Sequence, residues 1–201
     1  MQKLKDEVRN RIIEAAVNEF SRSGYEKASM RDICKAAGIS VSNTYNYYRN
    51  KEELFESIVK PVYEMVKNMF RQSLMQSAQK LSSGGNTLAH IDDIAGKILQ
   101  MDVNQQKLLI ILIEQSAGTK YEKSKEEMMV LFRMHLAEAV RQPGGAAQIT
   151  ESSGYIINII AENYMDGLLK ILKDYRDRAW AEANMRTLLT YHLNGIKALT
   201  G

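Results

Sequence analysis

Between positions 40 and 51 the chain runs Ser-Val-Ser-Asn-Thr-Tyr-Asn-Tyr-Tyr-Arg-Asn-Lys. Ser40, Ser42, Asn43, Tyr45, Asn46 and Tyr47 gather hydroxyls, amides and phenols there, with Val41 among them and no charge before Arg49. Such groups suit phosphate oxygens and base edges, the two kinds of surface that a DNA duplex offers. Lys51-Glu52-Glu53 then opens a helical pattern, and a lysine beside the free N–H groups of a helix start suits a phosphate. Tyr45, Tyr47 and Tyr48 are equally open to a plainer role as core residues.

Patterns for catalysis or metal binding are weaker. Cys34 falls in the middle of a short helical stretch, and His90, His135 and His192 fall on three separate ones. His135 and Glu138 share a helix face, but two residues make no metal site. No HExxH, GxSxG or phosphate-cradling glycine loop occurs, and those are the arrangements that would put chemistry at one place. The sequence therefore predicts no enzyme, no cofactor and no metal.

The elements that must position residues 40–51 are helical. Val8, Ile12, Ala16 and Phe20, flanked by Ile13 and Val17, make one apolar stripe at helical spacing. Gly24 stands where a left-handed residue would end that helix. Ser29 with Asp32 three residues on is a capping-box variant before a short helix with Met30, Ile33 and Ala37 on its apolar side, and Gly38 ends it. Ser40 caps a third helix, expected over Val41–Tyr47. Ala36 and Ala37 are small enough for close helix approach, and Ile39 in the turn can plug the core between them. Two short helices across a glycine turn form a helix-turn-helix, whose second helix leads into a major groove.

Composition sets the wider frame. The 201 residues carry 45% hydrophobic and 25% charged side chains with a net charge of +3, which is ordinary for a globular protein. One cysteine excludes an internal disulfide framework and predicts a reducing, cytoplasmic setting. The longest apolar run is the six residues Leu108–Ile113, too short for a bilayer. MQKLKDEVRN lacks the apolar core of a secretory signal. Residues 1–51 carry ten Lys/Arg against six Asp/Glu, the remainder seventeen against eighteen. That uneven charge points the first quarter toward an anionic partner, or reflects ordinary surface solvation.

The stretch from Ile12 to Val59 resembles the amino-terminal domain of the TetR/AcrR family of transcriptional regulators, over about residues 8–59 without a gap. The matching positions are Ala15-Ala16 and Phe20, Gly24-Tyr25, Ser29 to Ile33, Ala37-Gly38-Ile39-Ser40, Tyr45, Tyr47, and Lys51 to Phe55. The resemblance implies an all-α protein: a three-helix DNA-binding domain, 1–51, followed by a larger helical effector-binding and dimerisation domain, 52–201. It further implies a homodimer on a palindromic double-stranded operator, by default a repressor, released by a small molecule. Ser40, Val41, Ser42, Tyr45, Asn46 and Tyr47 occupy the DNA-touching positions of relatives, Arg31 a base- or phosphate-reading one, and Lys51 that of a phosphate-binding lysine. Ser42 stands where many relatives have Gly, Thr44 where most have Leu or Ile, and Tyr48 where Phe is usual.

Beyond residue 51 the periodicity predicts helices near 51–81, 87–100, 104–117, 121–141, 150–174 and 177–199, with loops at Ser82–Gly85 and Pro143–Gly145. Pro61, inside the first of these, predicts a kink or break near Lys60. Tyr155–Leu172 is apolar on almost every side, with Gly154, Ala161 and Gly167 small enough for close approach. The last helix carries a stripe of Met185, Leu188, Leu189, His192, Ile196 and Leu199. Burial from two subunits would explain both helices, with Ile156, Ile160, Gly167, Met185, Leu189, His192 and Ile196 at the interface; one large monomeric core is the alternative. Glu114, Asn158 and Glu162 interrupt apolar runs and would need partners if buried. An effector pocket, largely apolar, is expected among Met65, Met69, Phe70, Met101, Glu114, Asn158 and Tyr164, where methionines would supply pliable packing. A helical protein-binding adaptor accounts for this half of the chain equally well, but not for the first fifty residues.

Overall fold

The computed structural model describes residues 2–82, 89–140 and 151–200, less the side chains of 2–3, 77–82, 89–93, 95, 135–140, 151–153, 193 and 196–200. Helices are the regular elements of the described chain: α1 Gln2–Lys27, α2 Met30–Ala37, α3 Val41–Thr44, α4 Lys51–Ser82, α5 Ala89–Gln100, α6 Val103–Glu114, α7 Ser124–Val140, α8 Glu151–Lys173 and α9 Arg178–Thr200. The apolar spacing thus locates every helix, to within a few residues at the ends. Residues 83–85 and 143–145 of the two expected loops lie outside the described residues, as do the side chains of His90, His135, Glu138, Ile196 and Leu199. Among the described residues no helix is long and apolar enough to cross a membrane.

The chain groups into two compact units. The first is Met1–Glu64 together with Lys107–Lys125, the second Met65–Gln106 together with Glu126–Gly201. In the first, Ile12, Ala16, Phe20, Ile33, Leu54 and Phe55 are buried almost completely. Phe55 takes the edges or faces of Phe20 and Tyr25 at 5.0 Å each, a geometry that adds to the burial itself. Buried Ser116, Thr119 and Ser124 satisfy the turn after α6: the Ser116 and Ser124 hydroxyls both donate to the Leu112 carbonyl, at 2.7 and 2.8 Å.

In the second unit α8 packs on α9. A Cβ at Gly167 would come within 2.9 Å of Leu188 Cδ2, so the close approach that Gly167 permits is made to the chain's own α9 rather than to a second subunit. Met185, Leu189 and His192 are likewise buried within the chain, at 2%, 4% and 7% exposure. His192 sits edge-on to Tyr164, which stacks on Phe132 at 4.9 Å. Their stripe faces the unit's own core. Among the described residues, the large apolar side chains left exposed on α8 and α9 are instead Tyr155, 66% exposed, Ile159, 37%, and Tyr191, 75%.

Three further expectations are corrected. α4 does not break at Pro61 but runs unbroken from Lys51 to Ser82; burial of Ile58, Val59 and Val62 around the proline outweighs the one hydrogen bond that it removes. Ala36 is exposed, and only Ala37 lies in the helix seam. Asn158, Glu162 and Glu114 are exposed, because each falls on the solvent side of its helix.

Candidate nucleic-acid interface

The short helix before the reading segment is set by its ends. Ser29 accepts the Arg31 N–H at 3.2 Å, and Asp32 adds a negative charge to the first turn, both favourable where helix N–H groups are unpaired. At the other end Gly38 takes φ 65°, ψ 36°, which lets the Ile39 N–H reach the Cys34 carbonyl at 3.0 Å. Arg11, from α1, donates to the carbonyls of Ala37 and Gly38. A guanidinium there satisfies the last carbonyls and meets the negative end of α2. Nothing in the local pattern of α2 points to Arg11, whose partner is 26 residues away.

The following helix is shorter than expected. α3 ends at Thr44, and Tyr45–Tyr47 form a turn. The bonding changes there from four-residue steps (Tyr45 N–H to Val41 O, 3.2 Å) to three-residue steps (Asn46 N–H to Asn43 O, 3.1 Å; Tyr47 N–H to Thr44 O, 2.9 Å), which tightens the chain. Ser40 caps the helix by accepting the Asn43 N–H at 3.2 Å. Thr44 is completely buried. Its hydroxyl donates to the Ser40 carbonyl at 3.1 Å and accepts the Cys34 S–H at 3.2 Å. The Thr44 departure is therefore paired with Cys34 by hydrogen bonding. Tyr48 is buried with its hydroxyl accepting from Arg9 Nε at 3.2 Å, a role that phenylalanine lacks.

What remains outside is a polar surface. Ser40, Ser42, Asn43 and Asn46 are exposed, Val41 and Tyr45 are 39% and 48% exposed, and Tyr47 is half-buried. Arg31 is exposed on α2. These side chains project from neighbouring elements of one unit, each held by buried residues beneath, and they offer donors, acceptors and one apolar contact. That is a surface for reading a polar partner by hydrogen bonds, with no buried acid, base or nucleophile among it.

Lys51 stands apart from this surface. Its ammonium donates to the carbonyls of Tyr25 at 2.6 Å, Ala28 at 3.0 Å and Glu26 at 3.2 Å, and lies 4.3 Å from the Tyr25 ring centre. Three N–H donors meet three carbonyls, so none is left for a phosphate. Partial burial pulls its pKa below the ordinary lysine value, with Glu26 opposing. Lys51 is a clamp on the α1–α2 turn. An exposed cation next to it is Arg49, whose side chain is 87% exposed.

The Arg49 backbone N–H and Nε both donate to Glu53 Oε2, at 2.8 and 3.0 Å, while Asn50 Oδ1 accepts the Glu53 N–H at 2.8 Å. Asn50 thus caps α4, a signal present in the sequence as Asn-x-x-Glu. The bonds from Arg49 hold the Glu53 pKa below its ordinary 4.5. A carboxylate with a depressed folded pKa contributes stability that is complete above the unfolded value and is lost as pH falls through the folded one. Glu53→Gln is expected to remove that part of the acid sensitivity, seen as a shallower fall in melting temperature below about pH 4.5; an unchanged slope would mean that the cap does not depend on the charge.

The residues expected around an effector differ in burial. Phe70, Met101 and Tyr164 are buried, Met65 and Met69 half-buried, and Asn158 exposed, all in the second unit, while exposed Glu114 belongs to the first. Of the residues expected at a subunit interface, Ile156 and Ile160 are half-buried on α8.

Comparison with known proteins bears first on the amino-terminal domain. The pattern described as "Bacterial regulatory proteins, tetR family" matches residues 12–58, from the apolar stripe of α1 to the start of α4. The transcriptional regulator UidR of Escherichia coli K12 is 35% identical over 74 residues, 37% of this chain and 38% of UidR. YdgC of Bacillus subtilis, also named an HTH-type transcriptional regulator, is 31% identical over 71 residues, 35% of this chain and 36% of its own. The chain thus spans little more than a third of these curated relatives. Along nearly its whole length it shares the fold of a TetR-like regulator from Rhodococcus sp. RHA1 (TM-score 0.57, 18% identity, 94% of this chain and 96% of that one). The same holds for NalD of Pseudomonas aeruginosa (TM-score 0.53, 18% identity, 96% and 97%). Over residues 12–58, the stretch that carries the exposed polar surface, this chain is similar to the tetR family of bacterial regulatory proteins.

Proposed function

We propose that the chain is a sequence-specific DNA-binding transcriptional regulator that acts in the cytoplasm as a homodimer on a palindromic operator. The observation that carries this reading is the uncharged hydrogen-bonding face of Ser40–Tyr47 standing exposed on buried supports. Residues 1–51 hold the DNA contacts: Arg31, Ser40, Val41, Ser42, Asn43, Tyr45, Asn46 and Tyr47, with Arg49 rather than Lys51 meeting a phosphate. Residues 52–201 bind the effector and dimerise, with the exposed Tyr155, Ile159 and Tyr191, beside Ile156 and Ile160, meeting the partner copy. Two reading segments about 34–36 Å apart then enter successive major grooves.

Repression is the proposed default, in keeping with NalD, which is itself a repressor. A small-molecule effector that binds one state of the dimer better than the other lowers operator affinity by that difference in binding free energy. Selection from random duplex DNA by purified, ligand-free protein tests the reading. A palindrome should be enriched, and Asn46→Ala should cost about 1–3 kcal/mol at one symmetry-related pair of positions. Failure to enrich any sequence would favour a helical adaptor that binds protein.

A further inference from the structure

The second unit holds a crevice lined by none of the residues expected around an effector. Gly96, Leu99 and Gln100 of α5 face Arg178, Glu182 and Arg186 of α9 across about 280 Å³, with Met185 at its base. Leu99 and Met185 are 8% and 2% exposed, so the floor is apolar. A Cβ at Gly96 would meet nothing within 4 Å, so the absent side chain leaves the α5 wall open.

The rim is charged. Arg178, Glu182 and Arg186 fall at four-residue steps and therefore share one face of α9. Arg178 Nε donates to Glu182 Oε1 at 2.7 Å, so the one rim carboxylate and one guanidinium neutralise each other. Arg186 is left exposed, and no described residue pairs with its guanidinium. The charged residues described along the rim, Arg178, Glu182 and Arg186, thus sum to one positive charge beside an apolar floor.

The geometry points to a binding site for a small carboxylate-bearing amphiphile, its carboxylate on Arg186 and its apolar part on Leu99 and Met185. A guanidinium takes a carboxylate through two parallel hydrogen bonds, and 280 Å³ lies just below the ~300–1,000 Å³ of drug-sized pockets, the scale of a medium-chain or aryl acid. A cationic amphiphile would meet Arg186 unfavourably, and a neutral one would leave it without a partner. The site's existence does not depend on DNA recognition, because its test uses the free protein.

Calorimetric titration of the full chain with octanoate, 1-octanol and octylammonium reads it directly. Octanoate should bind about tenfold or more tightly than octanol, octylammonium should not bind, and Arg186→Gln should bring octanoate down to the octanol level. Gly96→Leu, a change to a better helix former, should abolish binding of both while the circular dichroism spectrum stays helical. Octanoate binding that survives both substitutions, or that is absent from the wild type, would overturn the proposal.

Discussion

Lys51→Met lowers the melting temperature of the protein in the absence of any DNA. The substitution keeps the aliphatic stem and removes the ammonium, so the carbonyls of Tyr25, Glu26 and Ala28 lose their shared donor in a partly buried setting. Hydrogen bonds to a charged group contribute about 1.5–3 kcal/mol each, and three that share one exposed-edge ammonium add less than three times that, so a loss of about 3 kcal/mol is expected. The cation–π contact with Tyr25 goes with them. Lys51→Arg should recover only part, because a planar fork does not bring three donors from one nitrogen onto three carbonyls. Thermal melts of the three proteins check this. Binding to duplex DNA supplies the contrast: Arg49→Ala should reduce the slope of log affinity against log salt by about 0.9 for each phosphate it no longer neutralises, while folded Lys51→Met should leave the slope unchanged. An unchanged melting temperature with a reduced slope would return Lys51 to the DNA surface.

Gly24→Ala acts on the same turn from its other side. Gly24 sits at φ 74°, ψ 165° inside the span of α1, a region that is essentially closed to residues with a side chain. An added Cβ would lie 2.8 Å from Gln115 Oε1, next to where the Tyr25 N–H donates to the Gln115 carbonyl at 2.9 Å. Strain of about 1–3 kcal/mol combined with displacement of the Gln115 side chain makes this the costlier of two glycine substitutions. Gly38→Ala, at an ordinary left-handed φ 65°, ψ 36°, should cost about 1–2 kcal/mol. Urea titration of both variants gives the order, and a greater loss at Gly38 would show that the Arg11 contact, not the backbone angle, dominates.

How much of this is legible in the sequence varies with the range of the interaction. The caps at Ser29, Gly38 and Ser40 depend on residues within four or five positions, and all three follow from type and spacing alone. Gly24 is recognisable as a helix break, but not as left-handed: its ψ is 165°, and the next residue, Tyr25, bonds Gln115, ninety positions on. Lys51 shows the same limit. A lysine at a helix start beside a polar segment invites a phosphate, and only the three-dimensional return of the Tyr25–Ala28 turn reveals what its donors hold. On α9 the apolar stripe is plain in the sequence while its direction is not, because periodicity gives a face without saying whether that face meets the same chain or another. The exposed polar surface is the most legible part, since Ser42, Asn43 and Asn46 are polar in the sequence and stand outside, whereas buried Thr44 shows that polarity alone does not place a residue.

The Tyr25–Gln115 bond and the grouping of Lys107–Lys125 with Met1–Glu64 also bear on how the molecule is made. A ribosome delivers the whole reading segment long before the stretch that supports its base has been synthesised. Until about residue 125 has emerged, the Tyr25 amide has no Gln115 carbonyl to meet and Glu56 has no Lys120, and the first unit waits incomplete while the intervening chain is added. Contacts of such large sequence separation are slow to close, so the nascent amino-terminal half is the interval in which aggregation or proteolysis competes with folding. A gene fragment ending at Glu64 would encode the reading residues without the brace that fixes the turn beneath them.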